Sequence, residues 1–231
     1  MQPTGYRLVP DGLIRPVAVM FVLSALIATG LGLLFAGQRV GSSFDQSVYW
    51  LVYKQFVGER ELLRVMLVPT EPVLLIVLIS LVVMLAIARR RPRLAILAVA
   101  GPLIAVSLNS VVLKPVFGRT ISNGSLAYPS GHTTGLVAVL TVLTLAVVAG
   151  VRPPWRKSLT TLVIVGGLVV AVVAATALIG MKYHYVTDTI GGAGTAVATV
   201  LAVAFGIDWI AARRQQPTAQ RKQPATSGVA L

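Results

Sequence analysis

The sequence predicts an all-α, polytopic membrane protein with six transmembrane helices. Of its 231 residues, 56% are hydrophobic and only 12% are charged, about half the ~25% charged share usual in soluble domains. Mean hydropathy is +0.84. The apolar residues fall into six long runs, each close to the ~20 residues a helix needs to cross the hydrocarbon core.

Residues 1–15 read as a short polar arm carrying Arg7 and Arg15. The first span covers residues 16–37. It is too long for a signal-peptide core and no small-residue cleavage site follows it, so it reads as a membrane helix. Residues 38–71 change character. Leu51, Phe56, Leu62, Leu63 and Met66 interleave with Lys54, Glu59, Arg60, Glu61 and Arg64. One or two amphipathic helices in the membrane interface fit this pattern, with Tyr49, Trp50 and Tyr53 as anchors. An extramembrane loop packed on the bundle fits it equally.

The second span, 72–88, opens on Pro72, which suits a first helical turn, and stops at Arg89-Arg90-Arg91-Pro92-Arg93. The third, 94–113, is closed by Lys114-Pro115. A polar loop leads to the fourth, 133–150. The fifth covers 159–181 and the sixth 189–212, with a short turn holding His184 between them. The tail, 213–231, has no periodicity and is expected to be disordered. No internal repeat is evident.

The formal net charge is +13. The basic residues sit mostly in short loops between apolar runs, which is an orientation signal rather than a nucleic-acid footprint. Six spans put both termini on one side. The arm, the Arg89 loop, the Arg152 loop and the tail hold most of the 20 basic residues. That side is expected to be cytoplasmic, in a multi-pass cell-membrane protein, and the opposite loops to face outward. Cysteine is absent, which excludes disulfides, thiolate metal sites and cysteine nucleophiles. Two histidines with one nearby acid make a poor zinc ligand set. No metal or cofactor is expected.

The outward loops gather the chemistry. Lys114 ends the third span, His132 opens the fourth, and His184 and Asp188 lie between the fifth and sixth. Lys114 and Arg119 can neutralise a phosphate, one as a compact charge and the other as a fork of donors. Ser130 and Gly131 begin a helix whose unpaired N–H groups and dipole favour an anion. His184 and Asp188 are four residues apart and share a face on a helical turn. A carboxylate on one ring nitrogen would fix the tautomer and make the other a better nucleophile. His132 is placed to act as a general acid.

In this order, the residues resemble the type 2 phosphatidic acid phosphatase superfamily. The family pattern is Lys, six residues, Arg-Pro; then Pro-Ser-Gly-His; then Ser-Arg, five residues, His, three residues, Asp. The second part matches in full at Pro129-Ser130-Gly131-His132, and the third in its His184/Asp188 half. Over roughly residues 70–212 the resemblance implies a six-helix fold and a metal-independent phosphohistidine mechanism. Counted from Lys114, the family's Arg-Pro falls on Ile121-Ser122, so Arg119 lies two residues early. Counted back from His184, its Ser-Arg falls on Ala177-Leu178, with Lys182 nearby. Arg119 and Lys182 are expected to take over part of the displaced arginines' role.

The expected function is hydrolysis of a lipid phosphate monoester or pyrophosphate at the outer membrane face. A polyprenyl pyrophosphate, a phosphatidate and a phosphatidylglycerol phosphate all remain open. The partners are then the lipid phosphate substrate and the membrane lipids, with no nucleic acid. The competing reading is a non-catalytic lipid-phosphate binder or transport component with the same fold. A channel or transporter of other specificity lacks support, because acids within the spans are nearly absent. Residue by residue, Asp188 could simply cap the sixth span, Lys114 could be a snorkelling anchor, and Arg119 an ordinary loop charge. Ser107 and Asn109 read as helix–helix contacts, and the Gly166-Gly167 and Gly191-Gly192-Ala193-Gly194 clusters as close-packing sites. Arg89 to Arg93 read as an orientation signal or an anionic-lipid contact.

Overall fold

The computed structural model describes residues 7–151 and 154–215. The first six residues, Arg152, Pro153 and the tail beyond Gln215 lie outside the described residues. Nine α-helices follow one another there: α1 (Ile14–Leu34), α2 (Ser43–Phe56), α3 (Arg60–Leu67), α4 (Pro72–Ala88), α5 (Pro92–Ser107), α6 (Lys114–Phe117), α7 (Gly131–Gly150), α8 (Trp155–Gly180) and α9 (Val186–Gln215). Among the described residues no strand forms beyond an isolated bridge between Thr120 and Leu126. Six segments are long and apolar enough to cross a membrane: Asp11–Leu34, Arg60–Ala88, Pro92–Phe117, Gly131–Gly150, Trp155–Gly180 and Val186–Arg214.

One of these segments covers each expected span, and their ends differ from expectation for local reasons. The second apolar segment starts at Arg60 because α3 runs through a short 3-10 turn into α4. The third is irregular. Pro102 lies inside α5, and a π-helical stretch, Leu108–Leu113, joins α5 to α6. Such wide turns accommodate a missing backbone bond and re-aim the residues that follow; here they precede Lys114. The fourth starts two residues early because the Ser130 side chain accepts from the Thr133 N–H and caps the helix. The sixth starts at Val186 and extends through residues 213–215, which the sequence assigned to the tail.

α9 is the centre of the bundle and packs against α1, α5 and α7. Within lipid the hydrophobic effect does not drive helices together, so close van der Waals packing must. The core is accordingly rich in small residues, including Ala98, Ala105, Ala138, Ala196 and Ala204. A Cβ on Gly191 would come within 2.3 Å of the Tyr128 ring, one on Gly192 within 2.6 Å of the Ser130 carbonyl oxygen, and one on Gly194 within 2.8 Å of the Ser24 carbonyl oxygen. This glycine cluster therefore lets α9 meet both α1 and the turn before α7. Gly166 faces open space, and only Gly167 of that pair approaches a neighbour, Leu140. Large apolar side chains of α1, α4 and α8, such as Leu26, Val73 and Leu162, point outward.

The two ends of the bundle are built differently. At one end the Asp208 carboxylate accepts from the backbone N–H groups of Leu8 and Val9, at 3.1 and 3.0 Å, and lies 3.5 Å from Arg93. Leu8 and Val9 are buried. Part of the expected polar arm, Leu8 and Val9, is therefore tucked into the bundle, held by an acid inside the last span. Arg91 donates to the carbonyls of Ala149 and Gly150 and satisfies the C-terminus of α7. At least two of the clustered arginines thus have packing partners. The other end holds α2, α3, the 118–130 loop and the 181–185 turn. There residues 43–56 and 60–67 are helices packed on α8, not an irregular loop.

Candidate active site

The site forms where two turns meet at the start of α7 and the start of α9. In the first, the Ser130 N–H donates to the Asp188 carbonyl at 3.0 Å. Asn109, from the π-helical stretch, donates to the Pro129 carbonyl at 3.3 Å and to the Thr134 hydroxyl at 2.7 Å. Asn109 is thus the helix–helix contact its sequence position suggested, and it holds the Ser130 turn against the third span. Tyr128 packs edge-on to Phe117, 5.3 Å between ring centroids, and its hydroxyl donates to the Ala28 carbonyl. Burial raises the Tyr128 hydroxyl above the ordinary tyrosine range.

In the second turn, Asp188 sits in the first turn of α9. Its Oδ2 accepts from the Tyr185 N–H at 2.8 Å, reaching back to cap the helix start. The capping role foreseen for Asp188 is real, and it coexists with an ion pair to Arg119 at 2.7 Å. His184 precedes the helix. Its Nδ1 is buried without a hydrogen-bond partner and lies 3.8 Å from Asp188 Oδ2. That separation is too long for a hydrogen bond, although catalytic contacts often tighten only when substrate binds. The facing group is a carboxylate oxygen, an acceptor only, so a contact that tightened there would select the Nδ1–H tautomer and leave Nε2 its lone pair.

The two turns bring the histidines together. Their ring centroids are 6.0 Å apart, with the planes inclined at 67°. Both line a cavity of about 840 Å³ that Lys114 and Gly131 also line. The Lys114 ammonium donates to the Leu126 carbonyl at 2.8 Å, leaving two of its three donors uncommitted there. The N–H groups of Gly131 and His132 precede the first intrahelical bond of α7, so the helix itself offers them no acceptor. Away from this polar end the cavity is apolar. It passes between Leu75 and Ile79 of α4, Leu103 and Val106 of α5, and Gly135 and Val139 of α7. Along the third span it reaches from Lys114 to Val99, about 22 Å at 1.5 Å per residue.

The remaining expected residues are placed differently. Ser130 is fully buried and its oxygen accepts from the Thr133 hydroxyl at 3.1 Å, so its side chain serves the helix cap. Lys182 has a φ of 59° and holds its ammonium 5.0 Å from the centre of the Tyr49 ring. It lines a separate cavity of about 140 Å³ that shares only His184 with the larger one. Arg119 departs most from expectation. It is fully buried and lines neither of these cavities. Its NH1 donates to the Thr187 hydroxyl at 2.6 Å and to Asp188 at 2.7 Å, and its NH2 to Asp45 at 2.6 Å. The Phe35 and Tyr185 rings stack on its guanidinium, 4.5 and 4.6 Å from its central carbon. The guanidinium is thus held between two carboxylates, with only its buried Nε left without a partner.

Two participants escaped the sequence reading. Asp45 is buried in α2 and accepts from Arg119, from the Thr187 N–H at 3.1 Å and hydroxyl at 2.8 Å, and from Ser42. Burial alone would raise its carboxyl, but the hydrogen bonds from Thr187, Arg119 and Ser42 outweigh it and hold the group below the ordinary carboxylate range. The only local signal was the Ser42-to-Asp45 capping box. Thr187 carried no signal. Among the described residues no three His, Cys, Asp or Glu side chains gather as a metal-ligand set.

Comparison with protein-family models, with curated proteins and with solved structures gave no match. The functional reading therefore rests on the geometry and on the motif resemblance.

Proposed function

We propose that the chain is an integral-membrane phosphatase that hydrolyses a lipid phosphate monoester or pyrophosphate through a phosphohistidine. One observation carries this reading: two histidines from separate turns stand 6.0 Å apart at the polar end of a long apolar cavity that also holds a lysine. An apolar cavity with a few convergent polar groups is the usual form of a ligand site. The apolar part of that cavity runs between helices apolar enough to span a membrane, which supports a lipid tail rather than a sugar or nucleotide.

In the proposed reaction the phosphate lies beside Lys114 and the N–H groups opening α7, which stabilise its charge. The Nε2 lone pair of His184 attacks phosphorus. The bond from phosphorus to the lipid oxygen breaks, and His132 delivers a proton to that oxygen. Water then attacks the phosphohistidine, giving its proton to His132, and the N–P bond breaks to release phosphate and restore His184. The amphipathic α2 and α3, with the Tyr49, Trp50 and Tyr53 rings clustered at centroid distances of 5.4, 5.8 and 5.6 Å, suit the membrane interface over this site. The Lys/Arg bias favours cytoplasmic termini and an outward site in a cell membrane.

The test is phosphate release from a panel of lipid phosphates by purified protein in detergent with EDTA. Turnover that vanishes in His184→Ala supports the enzyme. Tight lipid-phosphate binding without turnover supports the non-catalytic alternative instead.

A further inference from the structure

Asp45 belongs to none of the motif residues and lies on α2, far along the chain from both histidines. Yet it is the group on which the buried end of the site converges. Its two oxygens take the Thr187 N–H and hydroxyl on one side, and Arg119 NH2 with the Ser42 N–H and hydroxyl on the other. Arg119 in turn holds Asp188 Oδ1. That leaves Asp188 Oδ2 for the Tyr185 N–H, oriented towards His184 Nδ1 at 3.8 Å. Asp45, Arg119 and Asp188 are all 1% exposed or less. One guanidinium is shared between two carboxylates, so the cluster keeps a negative charge in excess. Two buried polar atoms here have no partner, Arg119 Nε and His184 Nδ1, and the second faces Asp188 Oδ2.

We propose that Asp45 is a positioning residue of the histidine site: by holding one arm of Arg119 and both donors of Thr187, it keeps Asp188 facing Nδ1 of His184. The division of Arg119 between two carboxylates is the core of the argument. An arginine fork with one buried carboxylate left to it pairs with both oxygens of that carboxylate. Without Asp45, Arg119 closes on Asp188 in this way, draws Oδ2 away from Tyr185 and His184, and leaves the His184 tautomer unset. α2 is then part of the site rather than only a membrane anchor. Asparagine at 45 cannot substitute. Its amide offers one oxygen, where the carboxylate accepts from Thr187 on one side and from Arg119 and Ser42 on the other. Its NH2 would face donors.

This inference rests on the proposed phosphatase reading for its kinetic consequence, but not for its spectroscopic one. The chain has two histidines, so histidine-selective nitrogen labelling of the full chain in nanodiscs gives two side-chain signal sets, assigned with His132→Asn. The wild type is expected to show His184 as the Nδ1–H tautomer. Asp45→Asn is expected to show a mixture with Nε2–H. It should also lower kcat on a lipid phosphate about tenfold or more, with KM within about twofold. A His184 tautomer unchanged in Asp45→Asn overturns the inference. So does a rise in KM with kcat unchanged. If the wild type releases no phosphate, the phosphatase reading fails and the tautomer result still decides the role of Asp45. Should Asp45→Asn not fold, Thr187→Val removes the hydroxyl that Asp45 and Arg119 share, and its tautomer and kcat decide the matter in the same way.

Discussion

His132 and His184 belong to turns in different parts of the chain, yet their rings stand 6.0 Å apart at the end of one apolar cavity. In the proposed mechanism they are not equivalent. His184 is the nucleophile, so His184→Ala should lower phosphate release on the order of a thousandfold or more. His132 is the acid and base, worth about 10²–10⁴-fold. Equal, modest losses in both variants would argue against this division of roles. Initial rates of phosphate release at saturating lipid measure it.

Arg119 separates the site's construction from its chemistry. Replacing it with alanine leaves Asp45 and Asp188 buried without their shared cation. Breaking a buried pair in this way costs about 3–5 kcal/mol, so thermal unfolding in detergent should shift strongly downward. Arg119→Lys should restore little of it, since an ammonium cannot span Thr187, Asp188 and Asp45 as the fork does. An Arg119→Ala protein as stable as wild type, with raised KM alone, would return this residue to phosphate binding.

The apolar cavity should select for the lipid tail. Val106 lines it on α5, and Val106→Trp should fill part of the space beside Leu75 and Leu103. KM for a long-chain lipid phosphate should rise about tenfold, roughly the effect of losing 1.4 kcal/mol of binding. A short-chain, water-soluble analogue should be turned over as before. Equal effects on both substrates would show that the tail does not lie there.

Asp45 sets an acid limit on stability. Its carboxyl in the folded protein lies below the ordinary value of 3.8. A lowered folded-state value stabilises the protein fully above the ordinary carboxyl range, and this contribution is lost as pH falls through the folded-state value. Unfolding midpoints followed from about pH 6 to about pH 3 should therefore drop in wild type, and Asp45→Asn should lack part of that drop. Identical acid slopes in the two proteins would count against the hydrogen-bonded, charged Asp45.

Two glycines, Gly192 of α9 and Gly166 of α8, offer an internal control. Gly192→Ala must displace the Ser130 carbonyl, 2.6 Å from the added carbon, and overpacking of this kind costs about 1–3 kcal/mol. Gly166→Ala meets nothing within 4 Å and should leave the unfolding midpoint unchanged or slightly raised. Both are read from thermal unfolding of the purified variants.

The six spans could be read from the sequence because hydropathy is a property of contiguous residues. The pairing of Lys114, His132 and His184 at one end followed from counting spans. What could not be read were partnerships across the fold. Asp45 meets Arg119 and Thr187 only because α2 folds back over the 118–130 loop. The run of residues around Asp45 says only that a helix begins there. Asp208 in the last span and Leu8-Val9 in the polar arm are similar. That the two belong together is a tertiary fact. The spacing of Arg119 suggests a displaced phosphate-binding arginine, whereas its burial between Asp45 and Asp188 is a tertiary fact.

The most direct test is to trap the covalent intermediate. Purified protein is mixed with a lipid bearing a radiolabelled phosphate, with EDTA present, and quenched in alkali. The expected result is a transient, alkali-stable and acid-labile label on His184, absent in His184→Ala and longer-lived in His132→Ala. Phosphate release that continues in His184→Ala, with no labelled protein at any time, would contradict the phosphohistidine mechanism.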